Sequence, residues 1–413
     1  MQKVSIVGGG LAGLVAGISC VEAGMPVELF EASASLGGRA RTQSGEFRAN
    51  LGPHVVYSDG FSWEWLRAHD LRPPSKRSPL YGLRFFSRGR VRRLPPRALA
   101  RTRRLRGKPA PADQSFRAWV RTHCGEEVAE MLSRAAGVFT FDHDPGRLSA
   151  AFVAERGGRV LSPPPSNRYV IGGWQTMVDI LAERARDLGV VINNDARVSE
   201  LPDPPVIVAT NLADAQQLLP AVRLSVTTTR CAILDLGLAH RIGDPFLVSD
   251  LDTGGWLERF STADKSLAPS GHELVQGHIG LAPGEGVSEG VAKLERIADR
   301  AFPKWRERAA WRRQQLMDAK TGALDLPGTS WRDRPAVDQG DGLYLAGDWV
   351  GAPGLLSEVA FASAAQAAEL AVERATATPI ARSKRAARNA QTAPVALSRR
   401  EGSGVISARS SSD

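Results

Sequence analysis

"VSIVGGGLAGLVAGISCVEAGMPVELFE", residues 4–31, decides the fold. Lys3 precedes a run from Val4 to Val21 that holds no ionisable charge, the profile of a short secretory core or a marginal membrane span. Glycine argues against both readings. Gly8, Gly9, Gly10, Gly13 and Gly17 would each weaken a helix interior, and three in a row would spoil its first turns. The stretch reads instead as a strand "KVSIV", a tight glycine turn, and a helix "LAGLVAGISCVEAG" with Gly24 at its C-cap. A second strand, "PVELFE", ends in Glu31. Strand, glycine turn, helix, strand and acid form the opening unit of a dinucleotide-binding fold.

Each position in that unit has a physical task. Gly8 permits the turn, Gly10 lets backbone approach a pyrophosphate, and Gly13 lets the helix lie against the strand. Leu11 and Ala12 open the helix whose free N–H groups and dipole face the phosphates. Glu31 stands where a carboxylate accepts hydrogen bonds from adenosine ribose hydroxyls, with Ala32 beside it, and it disfavours a 2′-phosphate. The bare GxGxxG pattern is weak by itself, and a purely structural glycine turn is the competing account. Its position between a β-branched run and a helix carries the weight.

Composition sets the outer bounds. At 413 residues, 43% hydrophobic and 23% charged, the chain is long enough for two packed domains. Cys20, Cys124 and Cys231 lie far apart and form no CxxC pair, so neither a disulfide framework nor a metal site is expected. A cytoplasmic protein, with or without contact to a membrane surface, follows from that cysteine usage.

Downstream of Glu31 come "ASASLGGRART" (32–42) and "NLGPH" (50–54), and far along the chain "DGLYLAGDWVGAPGLLSEVAFASAAQAAELA" (341–371). With these the sequence resembles the superfamily of FAD-dependent amine oxidases, phytoene-type desaturases and protoporphyrinogen oxidase. The resemblance covers both ends and, more loosely, residues 170–198. It implies a noncovalent FAD held by Gly38 and Arg39 at the pyrophosphate, by Gly52, Pro53 and His54, by Val198 beside the adenine, and by Gly347 and Asp348 at the ribityl chain. The following helix, carrying Leu356 and Val359, is implied to aim its N-terminus at the flavin ring. "SEVAFASA" departs from the family, which often has glycine at the positions of Val359 and Ala364. The competing account of Asp348 is a turn or helix cap. No cysteine follows Cys231, so a thioether-linked flavin at the C-terminal motif is excluded.

The expected architecture is α/β: a discontinuous Rossmann-like FAD-binding domain from residues 1–57, 166–222 and 338–375, and an α+β substrate domain from 58–165 and 223–337. A helix "WQTMVDILAERARDLG" is expected to bury Met177, Ile180, Leu181 and Leu188. Residues 376–413, rich in Ala, Ser, Arg and Pro, read as a disordered basic tail.

Residues 71–112 hold 14 Arg and Lys and no acid, while the chain outside this stretch and the tail is net acidic. "YGLRFFSRGRVRRLP" reads as a hairpin turning at Arg88 and Gly89, and "PPRALARTRRLRG" as a short cationic helix. With Tyr81, Leu83, Phe85, Phe86, Leu99 and Leu105 interleaved, the stretch suits either an anionic membrane surface or a solvated basic face. Nothing resembles a nucleic-acid recognition module.

The expected activity is hydride transfer from an apolar small molecule to FAD, desaturation of a C–C bond in type. The alternatives are amine oxidation at a C–N bond, an NAD-linked dehydrogenase relying on Glu31, and a noncatalytic nucleotide-binding protein. Amine oxidases of the superfamily usually carry a lysine in a substrate-domain strand, and "RCAILDLGLAH" has none. The chain has a single GxGxxG, so a resident flavin with a different, unidentified electron acceptor is expected. No catalytic side chain is singled out by sequence.

Overall fold

The computed structural model describes residues 2–79, 81–161 and 165–377. The tail expected to be disordered lies almost wholly outside them.

A five-stranded parallel sheet runs in the order β15 (Leu343–Leu345), β9 (Val206–Val208), β1 (Val4–Val7), β2 (Val27–Phe30), β8 (Val191–Asn193). β1 and β9 are buried at every residue, as strands covered on both faces must be. Their cover includes α1 (Leu11–Glu22), α7 (Trp174–Asp187) and α11 (Ser357–Ala377), with α1 against both of the others. In α7 the buried set is Trp174, Met177, Val178, Leu181, Ala182 and Ala185, so Val178 takes the place expected for Ile180. α8 (Leu212–Leu218) follows β9.

A seven-stranded sheet runs β14 (Ala309–Asp318), β10 (Arg230–Ala239), β13 (His272–Gly280), β12 (Trp256–Arg259), β11 (Leu247–Asp250), β5 (Leu83–Ser87), β6 (Arg90–Arg92). Alternation divides its residues between two faces. Ala232, Leu234, Leu236, Val248, Leu257, Val275 and Ile279 form one core with α9 (Val287–Ala301), whose end is extended by α10 (Trp305–Arg308). The other face looks toward the parallel sheet. The β5–β6 hairpin turns at Arg88 and Gly89, as its sequence predicts.

Four helices, α3 (Phe116–Cys124), α4 (Glu126–Ala135), α5 (Gly137–Thr140) and α6 (Ala150–Leu161), pack on one another, with α4 against β11 and α5 against β13. A small sheet of β3 (Val56–Tyr57), β7 (Asn167–Val170) and β4 (Ser75–Arg77) lies in the connecting region. α2 (Phe61–Ala68) packs Trp65 and Leu66 into the parallel-sheet core and lies on α11. The cationic stretch Arg97–Leu105 is a 3₁₀ helix rather than an α-helix.

A polar network fastens the two sheets together. Asp235, fully buried, accepts from Arg313 Nε at 2.8 Å and from Gln276 Nε2 at 2.9 Å. Arg313 Nη2 also donates to the carbonyl of Asn50 at 2.7 Å, which ties the seven-stranded sheet to the start of "NLGPH".

Candidate functional site

One cavity of about 1330 Å³ reaches from the glycine turn after β1 to the inner face of the seven-stranded sheet. An ordinary small-ligand cleft measures roughly 300–1,000 Å³, so there is room for a long ligand and a second molecule beside it.

The turn end is built as a phosphate cradle. Gly10 caps α1 with extended backbone and no side-chain cap, and a Cβ placed there would meet no atom within 4 Å. The first N–H groups of α1 therefore open onto the cavity. Gly8, Gly10, Leu11, Ala12, Glu31, Ala32, Gly38, Gly52, Pro53, His54 and Val198 all border it. Gly13 does not; it acts through packing, since its Cβ would lie 1.8 Å from the carbonyl oxygen of Gly8. Glu31 accepts from the Gly9 N–H at 2.8 Å, the Ser33 N–H at 2.9 Å and Ser33 Oγ at 2.6 Å. A carboxylate offers about four lone-pair sites, so the turn orients Glu31 and leaves acceptor capacity for a hydroxyl.

The two distant motifs meet. Arg39 Nη1 and Nη2 donate to Asp348 Oδ2 and Oδ1 at 2.6 and 2.7 Å, and Nη1 also reaches the Lys320 carbonyl at 2.7 Å. The sequence assigns Arg39 to pyrophosphate and Asp348 to a ribityl hydroxyl as separate contacts. In the structure they form one bidentate pair, with the guanidinium still holding donors on Nε and Nη2. His54 Nε2 donates to the Arg39 carbonyl at 3.0 Å and its ring lies 4.7 Å from that of Trp174. Burial, with Arg39 nearby, pushes the His54 imidazole down to about 4, so it serves as a neutral donor.

Val359 is placed differently from its expected role. It packs with Ala352 and Ala362 in a small buried cluster, whereas Leu356, Ser357 and Ala360 border the cavity. Helical spacing presents Ser357 and Ala360 together and turns Val359 away, so its bulk does not intrude on the cavity. Gly347 borders the cavity.

The sheet end carries groups that the sequence did not single out. Ser249, Trp256, Glu258, His278, Ile233 and Met317 face the cavity from five strands. Their signal was polar residues two apart in otherwise apolar strands, as in "WLE" and "QGH". Tyr169 Oη donates to Glu258 in a short hydrogen bond. No lysine lies on β10, as its sequence shows, but Lys320 borders the cavity just beyond β14. Leu99 and Leu105, from the basic stretch, border it as well.

Burial pushes the Glu258 carboxyl up to about 7, against the opposing Tyr169 hydrogen bond. In the unfolded chain this carboxyl titrates at about 4.3. The folded state thus binds the proton more tightly, and the stabilisation this provides is complete below that value and is lost as pH rises through 7. Glu258→Gln should flatten this slope and unfold about 3 kcal/mol later than wild type at pH 8 than at pH 4.5, read by urea titration at both pH values. An unchanged slope would refute the assignment.

Residues 6–67 match the NAD(P)-binding Rossmann-like domain. An oxidoreductase from Methanosarcina mazei superposes with a TM-score of 0.72 at 17% identity, covering 89% of this chain and all of that one. The chain shares its overall fold with solved oxidoreductases. Cyclohexylamine oxidase from Brevibacterium oxydans gives a TM-score of 0.68 at 14% identity over 91% of this chain and 99% of its own. Reduced UDP-galactopyranose mutase gives 0.70 at 15% identity over 91% and 95%. No curated protein sequence matches the chain. Among the described residues no helix is long and apolar enough to cross a membrane.

Proposed function

We propose that the chain is an FAD-dependent oxidoreductase that removes a hydride from an apolar small molecule. The observation that carries this is the single cavity joining a dinucleotide cradle to a largely apolar chamber. The residues fit FAD: open helix N–H groups after Gly10, an oriented Glu31, and the Arg39–Asp348 pair bordering the cavity. Bound FAD supplies a hydride acceptor. The protein's own residues then have three tasks. The N–H groups of α1 and the free donors of Arg39 would hydrogen-bond the phosphates, Glu31 would orient the ribose, and the chamber walls would exclude water and align the substrate.

Desaturation is favoured over amine oxidation by the chamber's walls. Ile233, Met317, Phe141 and Val153 line it with apolar surface, and β10 offers no lysine. Glu31→Ala, Arg39→Ala and Asp348→Ala should each weaken FAD binding about 10–100-fold, since each loses a charge-assisted hydrogen bond of about 1.5–3 kcal/mol. Flavin fluorescence titration reads this, and full occupancy in all three variants would sink the proposal.

The basic stretch fits contact with an anionic lipid surface near the chamber. Tyr81 and Leu94 are 68% and 77% exposed among the arginines, while Leu83, Phe85, Leu99 and Leu105 of the same stretch border the cavity. Replacing Arg101, Arg103, Arg104 and Arg106 by Gln should abolish sedimentation with phosphatidylserine vesicles, at about 1 kcal/mol lost per residue. Undiminished sedimentation would leave the stretch a solvated face.

A further inference from the structure

Dehydrogenation of a C–C bond takes two hydrogens from neighbouring carbons. One leaves with the electron pair of its C–H bond, to the hydride acceptor that FAD supplies in the function proposed above. The other leaves as a proton, and the electrons of its C–H bond become the second bond of the alkene. That proton needs an acceptor inside the chamber. Among the described residues bordering the cavity, Glu31, Asp214 and Asp348 stand at its dinucleotide end, each already engaged: Glu31 by the glycine turn, Asp348 by Arg39, and Asp214 by Asn211 Nδ2 at 2.6 Å. Burial beside Arg39 pushes His54 down to about 4. The His278 ring borders the chamber, but both of its nitrogens are buried away from it without partners. The carboxyl at the sheet end is that of Glu258 on β12.

We propose that Glu258 Oε2 accepts the proton that the substrate loses as its hydride departs. This rests on reading the sheet end of the cavity as the substrate chamber of an oxidoreductase. Tyr169 Oη donates to Glu258 Oε1. Oε2 accepts from no described residue and is not closed off as the His278 nitrogens are, so it opens onto the cavity. The hydrogen bond thus fixes the carboxyl and leaves one oxygen free for a substrate proton. At 5% exposure, with no cation paired to it among the described residues, the carboxyl is poorly stabilised as an anion, and burial lifts it to about 7. A base at that value is largely ionised near neutral pH and still competes well for a proton. A carboxylate suffices here, because the carbon that gives up a hydride gains positive character and so acidifies the C–H bonds next to it. The groups around Glu258 leave its titration distinct. Gln276 and Leu247, directly opposite on β13 and β11, are uncharged, and α9 packs on the other face of the strand, against Leu257. Burial holds the Tyr169 phenol well above its usual range and pushes His278 down to about 3.

The test uses 5-nitrobenzisoxazole, an apolar bicyclic ring that reports a base without any redox partner. Its ring C–H gives a proton to the base, the electrons of that bond form a nitrile, and the N–O bond breaks to release a yellow phenolate. Elimination by the full-length holoprotein should rise with pH through about 7. Glu258→Gln keeps the side chain's shape and should slow elimination about 100-fold or more with flavin content unchanged. Tyr169→Phe removes a donor that favours the charged carboxylate, so it should move the midpoint to higher pH; a role in packing alone would leave the midpoint in place. Elimination as fast in Glu258→Gln as in wild type overturns the proposal, and so does a midpoint that Tyr169→Phe leaves unmoved. Glu258-dependent elimination by a protein that takes up no flavin refutes the function proposed above and leaves the buried base standing; flavin held without Glu258-dependent elimination does the reverse.

Discussion

Gly13→Ala should yield a folded protein that retains almost no flavin. The added Cβ would sit 1.8 Å from the Gly8 carbonyl oxygen, a contact with backbone that no rotamer relieves. Relief requires α1 to move from the turn by more than 1 Å, which carries its N–H groups off the phosphate position. A displacement of that size should cost about 100-fold or more in affinity, roughly 3 kcal/mol, together with about 1–3 kcal/mol of overpacking strain. Gly17→Ala is the control on the same helix. Its Cβ would meet Ile6 Cδ1 at 3.6 Å and Val190 at 3.7 Å, ordinary packing distances, and alanine is the better helix former by about 1 kcal/mol. Flavin content and affinity should therefore be unchanged in Gly17→Ala and lost in Gly13→Ala. Equal flavin binding in the two variants would show that the turn does not hold the cofactor.

That contrast shows why this part of the molecule could be read from sequence. The cradle is contiguous: turn, helix and acid lie within residues 8–31, and their roles follow from local backbone geometry. The parallel strands were legible for a similar reason, since "PVIV" and "LYLA" are unbroken apolar runs of the kind that both-face burial requires. The chamber was harder to read. Trp256 and His278 become neighbours only through the antiparallel register of β12 and β13, and the two-residue spacing along each strand does not say which strand stands opposite. Arg39 and Asp348 were each singled out, but their pairing spans 309 residues and depends on where β15 delivers its following loop. Val359 shows the converse limit. Its place in the motif was clear, yet its direction depended on where α11 begins, and a one-residue change in that start turns a side chain by about 100°.

A second long-range pair sets up the other large effect. Glu358, 2% exposed, lies in the first turn of α11 and accepts from Arg159 Nη1 and Nη2 at 2.7 Å each. Its Oε2 also accepts from the Leu355 N–H at 3.0 Å, which shapes the loop carrying Leu356 and Ser357 to the cavity. Arg159 reaches on to Asp59 Oδ1 at 2.6 Å and lies over the Tyr57 ring at 5.0 Å, so one guanidinium joins α6, the approach to α2 and the start of α11. Arg159→Ala strands the buried carboxylate and should cost about 3–5 kcal/mol of stability, read by urea unfolding. The reverse change is less severe. Glu358→Ala leaves Arg159 paired with Asp59, which is 46% exposed, and should cost about 1–2 kcal/mol through the Leu355 N–H and the lost helix-terminal charge. The asymmetry is the sharper test, because a cost set by packing volume alone would not single out the variant that leaves the buried carboxylate unpaired. If the double variant is more stable than Arg159→Ala alone, the penalty lies in the uncompensated charge. A loss below about 1 kcal/mol in Arg159→Ala would mean that Glu358 has found solvent, and that the loop at the flavin end of the cavity is held by something other than this pair.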